Sequence, residues 1–141
     1  MKYDIKTPET KGFYVYNKSF YLINSKDERS ENFKQFKKEN GFSPDETWAL
    51  YTNIALFVLP RLKYFKEKTC GYPTCFNNIE EWHEILDKMI LSFERIVNEE
   101  EYPSSEYISK FKDEHEAYEA FDNEIKEGLE LFGKYFRSLW W

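Results

Sequence analysis

Glycine and cysteine are scarce in this sequence, and their scarcity removes several kinds of enzyme site. The 141 residues include five glycines and two cysteines. The glycines form neither Gly-x-x-x-x-Gly-Lys nor Gly-x-Gly-x-x-Gly, the two patterns that commonly hold phosphate groups. There is no Gly-x-Ser-x-Gly elbow, and neither cysteine can be paired with a catalytic histidine. The sequence therefore predicts neither a phosphate-binding loop nor nucleophilic catalysis.

The two cysteines, Cys70 and Cys75, are too few to form a metal site by themselves. Four residues separate them, and a tetrahedral zinc site needs two further ligands that no nearby histidine supplies. We expect free thiols in a connecting loop, because Gly71 and Pro73 lie between them. The sequence thus predicts no metal and no cofactor.

Long apolar runs are also missing. No run approaches the ~18 residues of a membrane span, and the first six residues lack the apolar stretch of a secretory signal. The net charge is −6, which disfavours binding to a phosphate backbone and favours either a basic partner or solubility alone. We therefore expect an intracellular protein that binds neither a membrane nor a nucleic-acid backbone.

Aromatic residues, in contrast, make up 20% of the chain, and many recur at helical spacing. The strongest helix start is Ser43-Pro44-Asp45-Glu46, which combines an N-cap hydroxyl, a proline in the first turn and acids near the positive end of the helix dipole. The apolar stripe that follows is Trp48, Tyr51, Ile54, Ala55, Val58, Leu62 and Phe65. This pattern predicts a central helix, with a kink about one turn before Pro60.

Shorter signals flank this helix. Aromatic and β-branched residues in 12–24 predict a hairpin that turns at Asn17-Lys18. Ser25 with Glu28 indicates the start of a basic helix that ends near Gly41. Asn78 with Glu81 indicates another amphipathic helix, ending before Pro103. Residues 104–141 continue the helical spacing, and we expect a break near Asp122-Asn123, since one straight helix of that length would exceed a domain of this size. The last 15 residues are apolar enough to predict burial.

Together these patterns predict a mainly α protein, a bundle of about four to five helices with a short N-terminal β-hairpin. Residues 1–141 are expected to form a single domain. Within it, residues 1–40 would be a variable N-terminal hairpin and helix, and residues 41–141 a helical core.

Acidic side chains on two of the predicted helices allow an interpretation as an enzyme. In metal-dependent nucleotide hydrolases with helical folds, carboxylates on facing helices hold magnesium ions near phosphates. The residues that would do so here are Glu81, Glu84, Asp87, Glu116 and Glu119. Because they lie opposite the apolar stripe, a solvated helix face is the simpler explanation.

A basic run on the Ser43 helix supplies the candidate binding site. It consists of Arg61, Lys63, Lys66 and Lys68, and such a run can contact phosphates or an acidic ligand, although it is also typical of the wet side of a helix. A site between this helix and the one that begins at Asn78 would have as its binding residues Arg61, Lys63, Glu84 and Asp87. No catalytic residue is predicted.

Several blocks of the sequence resemble a family of small proteins encoded by tailed bacteriophages. They are Gly41-Phe42-Ser43-Pro44-Asp45-Glu46-Thr47-Trp48, Leu59-Pro60-Arg61-Leu62-Lys63, Glu80-Glu81-Trp82 with Ile85-Leu86-Asp87-Lys88-Met89-Ile90, and Glu127-Gly128-Leu129 with Phe132 and Tyr135-Phe136. The resemblance covers about residues 41–97 and 124–141. It implies a phage or prophage setting, and since the family has no assigned catalytic residues, it transfers no functional position.

In that setting small acidic proteins commonly act by binding. We expect a non-catalytic phage accessory protein in the cytoplasm of an infected bacterium that binds a host component, for example as an inhibitor of a host-defence system such as CRISPR. The metal-dependent nucleotide hydrolase is one alternative, and a protein that binds a small nucleotide signal between its helices is another. The sequence leaves the oligomeric state open.

Overall fold

Helices account for most of the chain, which confirms the predicted mainly α class. The computed structural model describes residues 14–17, 20–98 and 100–140. The strands are β1 (Tyr14–Asn17) and β2 (Phe20–Ile23), and the α-helices are α1 (Ser30–Asn40), α2 (Leu50–Lys68), α3 (Ile79–Val97), α4 (Ser105–Ile108) and α5 (Glu114–Lys134). Two short 3₁₀ helices cover Pro44–Thr47 and Phe136–Ser138. In these described ranges, no helix is both long enough and apolar enough to cross a membrane.

The predicted hairpin is present. β1 and β2 pair in antiparallel fashion, with Tyr14 opposite Ile23 and Asn17 opposite Phe20. The predicted turn residue Lys18 lies outside the described residues, as does the start of the predicted hairpin at residues 12 and 13.

The start signal at Ser43 is confirmed, but it starts a different element from the one predicted. Ser43 is the N-cap of the 3₁₀ helix Pro44–Thr47, and the Glu46 carboxylate accepts a hydrogen bond from the Ser43 N–H. The α-helix itself begins only at Leu50. The capping box therefore fixes a single tight turn, and α2 follows it as a separate element that runs on through Pro60. The kink before Pro60 stays a prediction.

The chain divides into two compact units, one ending at Phe57 and the other beginning at Val58. The division falls inside α2, whereas the sequence placed its internal boundary at residues 40 and 41. In the first unit, the buried Asp45 carboxylate accepts a 2.8 Å hydrogen bond from the Ile23 N–H and also binds the Ser43 hydroxyl. This side chain therefore joins β2 to the 3₁₀ turn. The expectation of a single domain stays a prediction.

The second unit is built around α3. Trp82, Leu86 and Met89 are at most 1% exposed, and from α5 Ala117 and Phe121 join them in the core. α3 and α5 run antiparallel, as three cross-helix contacts show: Lys88 with Glu127, Ser92 with Ile125, and Arg95 with Phe121. Among residues 58–141, α3 is therefore the central helix.

The apolar stripe predicted along the Ser43 helix is buried only in part. The exposed fractions of Trp48, Tyr51 and Ile54 are 43%, 69% and 47%, whereas Ala55 and Leu62 are buried. Helical spacing identifies residues that share a face, but it does not say which apolar face turns inward when most of the helix is apolar.

Two other boundaries need correction. α1 begins at Ser30 with Arg29 at its N-cap, five residues after the predicted Ser25, although it does end at Gly41, which has the expected left-handed backbone with φ 82°. The helical part of residues 104–141 is interrupted between α4 and α5, before Glu114, and not at Asp122-Asn123. Asp113 is the N-cap of α5, and its side chain accepts a hydrogen bond from the backbone N–H of Glu116.

The predicted burial of the C-terminal segment is also wrong at three apolar positions. Leu129 is 42% exposed, Phe136 is 60% exposed and Trp140 is 77% exposed. α5 ends at Lys134 and is followed by the 3₁₀ turn Phe136–Ser138. Phe136 and Trp140 therefore lie beyond the end of α5, and the helical spacing that predicted their burial does not extend to them.

Candidate functional site

The four predicted binding residues lie on two helices, and two of them form ion pairs with residues outside the predicted set. Lys63 on α2 binds Glu94 on α3 at 2.5 Å, and Asp87 on α3 binds Lys66 on α2 at 2.5 Å. These pairs tie the C-terminal half of α2 alongside α3. Because their side chains remain 29–57% exposed, each contributes only about 0–1 kcal/mol. Arg61 and Glu84 are exposed on the same helices, and a binding role for the four residues stays a prediction.

The carboxylates of the hydrolase interpretation are not brought together. Glu81 is occupied at the start of α3, where it accepts hydrogen bonds from the backbone and side-chain nitrogens of Asn77. The Asn77 side-chain hydrogen bond, followed by the backbone one, lowers the pKa of Glu81 below its usual value. In residues 14–17, 20–98 and 100–140, no three His, Cys, Asp or Glu side chains form a group able to hold a metal ion.

The antiparallel packing of α3 and α5 explains this separation. Glu81, Glu84 and Asp87 on α3 lie before Lys88, which pairs with Glu127. Glu116 and Glu119 lie before Phe121, whose carbonyl meets Arg95. The two sets therefore occupy opposite ends of the helix pair, since eight residues of α5 from 119 to 127 span about 12 Å.

Between these ends lies a buried charge that the sequence did not single out. The Arg95 side chain on α3 is only 8% exposed; its Nη2 lies 2.6 Å from Glu124 of α5, and its Nη1 donates to the Phe121 carbonyl at 3.2 Å. The guanidinium also lies over the Phe121 ring, 4.1 Å from its centroid. An arginine next to the apolar positions of a predicted helix can indicate a buried charge. The sequence did not reveal its partners, Phe121 and Glu124, because they are 26 and 29 residues away along the chain.

Tyr107 extends this cluster to α4. Its hydroxyl donates a 2.9 Å hydrogen bond to Glu124, and its ring lies 5.4 Å from the Arg95 guanidinium. Burial, and then the hydrogen bond to Glu124, raise the pKa of Tyr107. Arg95, Glu124 and Tyr107 thus satisfy one another, and the cluster joins α3, α4 and α5.

The acidic charge of the protein is concentrated in its second unit. Residues 1–57 contain 9 Lys and Arg against 8 Asp and Glu, whereas residues 58–141 contain 11 against 18. Several of the cations in the second unit are already within ion pairs: Lys63, Lys66, Lys88, Arg95 and Lys126. Exposed acids therefore dominate the outer side of α5. Asp122 and Glu127 are partners in two of these ion pairs, so we call the other exposed acids of this helix, Glu114, Glu116, Glu119 and Glu130, the α5 acids.

The first unit has a different surface, an apolar groove at the start of α2. The groove has a volume of about 280 Å³ and is lined by Phe42, Glu46, Thr47, Leu50, Asn53, Ile54 and Phe57. Its polar side chains bond within the unit: Asn53 donates to the Glu46 carbonyl at 2.9 Å, and the Thr47 hydroxyl donates to the Pro44 carbonyl at 2.6 Å. The groove therefore offers a ligand mainly apolar contact.

Comparisons of the chain with known protein families, with curated proteins and with solved structures find no match.

Proposed function

We propose that this protein is a non-catalytic accessory protein of a bacteriophage or prophage that binds a basic surface of a host component through the α5 acids. The observation that carries the proposal is the concentration of acidic charge in residues 58–141, 18 acids against 11 cations. The resemblance of residues 41–97 and 124–141 to phage-encoded proteins supports the setting. A host-defence component is the class of target that we propose.

The α5 acids suit this role because the helix that carries them is held in place by contacts with α3. α5 packs along α3, and it is held there by Ser92 and Arg95. Charges fixed on a rigid helix lose little conformational entropy when a partner binds. Complementary charge also speeds the encounter and discriminates against acidic surfaces, and both effects weaken as salt rises.

The test compares two variants that change the net charge equally. In the first, Glu116, Glu119 and Glu130 are replaced by Gln; in the second, Glu28, Glu31 and Glu39 in the first unit are replaced by Gln. Each purified protein is immobilised, incubated with lysate of a bacterial host, and then added at stoichiometric amounts to the purified host-defence nucleases of that host. We expect the wild type and the second variant to retain a defence component and to inhibit it, and the first variant to lose both properties.

The proposal fails if the wild type neither retains such a component nor alters any of the nucleases. It also fails if both variants bind equally well, because the α5 acids would then have no specific part. Raising the salt concentration is expected to release the retained component from the wild type, since exposed charges are screened over about 8–10 Å at physiological ionic strength.

A further inference from the structure

The first two turns of α2 bury polar residues and leave large aliphatic ones exposed. The buried side consists of the polar Thr52 and Asn53 with Ala55 and Leu56, whereas Leu50 and Ile54 on the other side are 51% and 47% exposed. A helix whose only apolar contacts were internal would bury its larger side chains instead. Exposure of the larger apolar residues therefore points to a partner outside the unit.

The exposed apolar residues at the start of α2 are taken together as one face, and three of them, Phe42, Leu50 and Ile54, line the groove described above. We define this face as Phe42, Leu50, Tyr51 and Ile54, which are 46–69% exposed. Trp48 and Phe57, exposed by 43% and 46%, border it. With about 150–250 Å² per aromatic side chain, the face and its border expose on the order of 500 Å². That is near the upper end of the largest apolar patch found on a typical monomer, which is about 300–600 Å².

The charge distribution favours a second copy of this chain as the occupant. Each copy carries a net charge of −6, so most orientations of two copies bring acidic surfaces together. The apolar face, however, lies in the unit whose charges nearly balance, 9 cations against 8 acids, and not in the unit with 11 against 18. Two copies that meet through their first units therefore bring surfaces of nearly balanced charge into contact.

We infer that the apolar face is a self-association face, through which two copies pack in a two-fold symmetric dimer. Leu50, Ile54 and Phe57 follow one another at the helical spacing of four and three residues, so two α2 helices can interdigitate along this side. A two-fold contact uses the same patch twice. The dimer would then bury on the order of 1,000 Å², the lower end of what a specific interface needs. We expect a dimer that dissociates on dilution. The inference is independent of the proposed function, because it uses none of the α5 acids.

Analytical ultracentrifugation over a wide range of micromolar concentrations tests this inference. The wild type is expected to shift from the 17.2 kDa monomer towards twice that mass as concentration rises. Ile54→Glu places a charge in the interface and is expected to weaken self-association by more than about tenfold. Leu129→Glu is the matched control: Leu129 is also a helical aliphatic residue, 42% exposed, but it lies on α5. It is expected to leave self-association unchanged, and circular dichroism checks that both variants fold.

A second measurement locates the contact. In a Cys70→Ser, Cys75→Ser background, Ile54→Cys is expected to form a disulfide-linked dimer under mild oxidation, whereas Leu129→Cys is expected to stay monomeric. The inference is overturned if the wild type is a monomer at every concentration, or if Ile54→Glu associates as tightly as the wild type. It is also overturned if only Leu129→Cys cross-links, because the contact would then lie on the other unit.

Discussion

Gly128 lies against Ser92 where α5 packs on α3, too close for a side chain at position 128 unless neighbouring atoms move. A Cβ atom built on Gly128 would overlap the Ser92 Cβ and would come within 2.5 Å of the Lys88 carbonyl oxygen. At the same level, the fully buried Ser92 hydroxyl donates a 2.7 Å hydrogen bond to the Ile125 carbonyl. The close approach and this hydrogen bond together set the spacing of the two helices that carry the core of residues 58–141.

Gly128→Ala is expected to destabilise the protein by about 1–3 kcal/mol, because backbone and buried side-chain atoms must move to make room for the added methyl group. Gly133→Ala, also in α5, is the matched control: nothing lies within 4 Å of its added Cβ. In this control the free energy of unfolding is expected to rise by up to about 1 kcal/mol, because alanine has a higher helix propensity than glycine. Urea denaturation measures both free energies of unfolding. Equal or greater stability of Gly128→Ala would show that the helices are not in close contact at this level.

Asp45→Asn is expected to lower the free energy of unfolding by about 1.5–3 kcal/mol. The buried carboxylate accepts hydrogen bonds from two donors, whereas an asparagine has one acceptor oxygen and brings an NH₂ group for which the site has no acceptor. The residue is 2% exposed and accepts from Ile23 and Ser43. Asp122→Asn changes an exposed side chain that pairs with Lys126; it is the control and is expected to change stability by less than about 0.5 kcal/mol. Thermal unfolding gives the size of the effect, and hydrogen exchange at the Ile23 amide shows whether its hydrogen bond is lost. Stability of Asp45→Asn within about 0.5 kcal/mol of the wild type would contradict the prediction.

Tyr107 is expected to make stability fall at high pH. Its pKa in the folded protein is raised above the ordinary value of 10.0, mainly by burial and then by the hydrogen bond to Glu124. The folded state therefore keeps the phenol proton at a pH where the unfolded chain has lost it. Tyr107 therefore makes its full contribution to stability below pH 10, and this contribution is lost as pH rises from 10 through the folded-state pKa.

Denaturation of wild type and Tyr107→Phe at neutral pH and above pH 10 tests this expectation. The wild type is expected to lose stability more steeply above pH 10 than the variant, which has no phenol to titrate at this position. Tyr102→Phe removes a phenol that is 67% exposed and so controls for the loss of one hydroxyl group. Parallel pH profiles for wild type and Tyr107→Phe would show that burial does not perturb Tyr107.

The candidate site shows how far spacing along the chain could be used. The spacing of residues indicated that Lys63 and Asp87 lie on two different helices, and these helices are neighbours. The partners of these residues, Glu94 and Lys66, depend on how far α2 is displaced along its axis relative to α3. Ion pairs between helices form wherever opposite charges come within reach, and no periodicity within one helix encodes that shift. For the same reason, the facing acids expected from α3 and α5 lie at opposite ends of an antiparallel pair.

The sequence by itself determined the local geometry of this protein. The turn at Ser43, the N-cap at Asn78 and the left-handed end at Gly41 each depend on residues within four positions, so their side chains satisfy the neighbouring backbone wherever the rest of the chain lies. Only the tertiary structure decided that Leu56 is buried while Ile54 is exposed, and that Arg95 meets Glu124. Those outcomes depend on which elements pack together, and packing is a property of the whole chain rather than of any one segment.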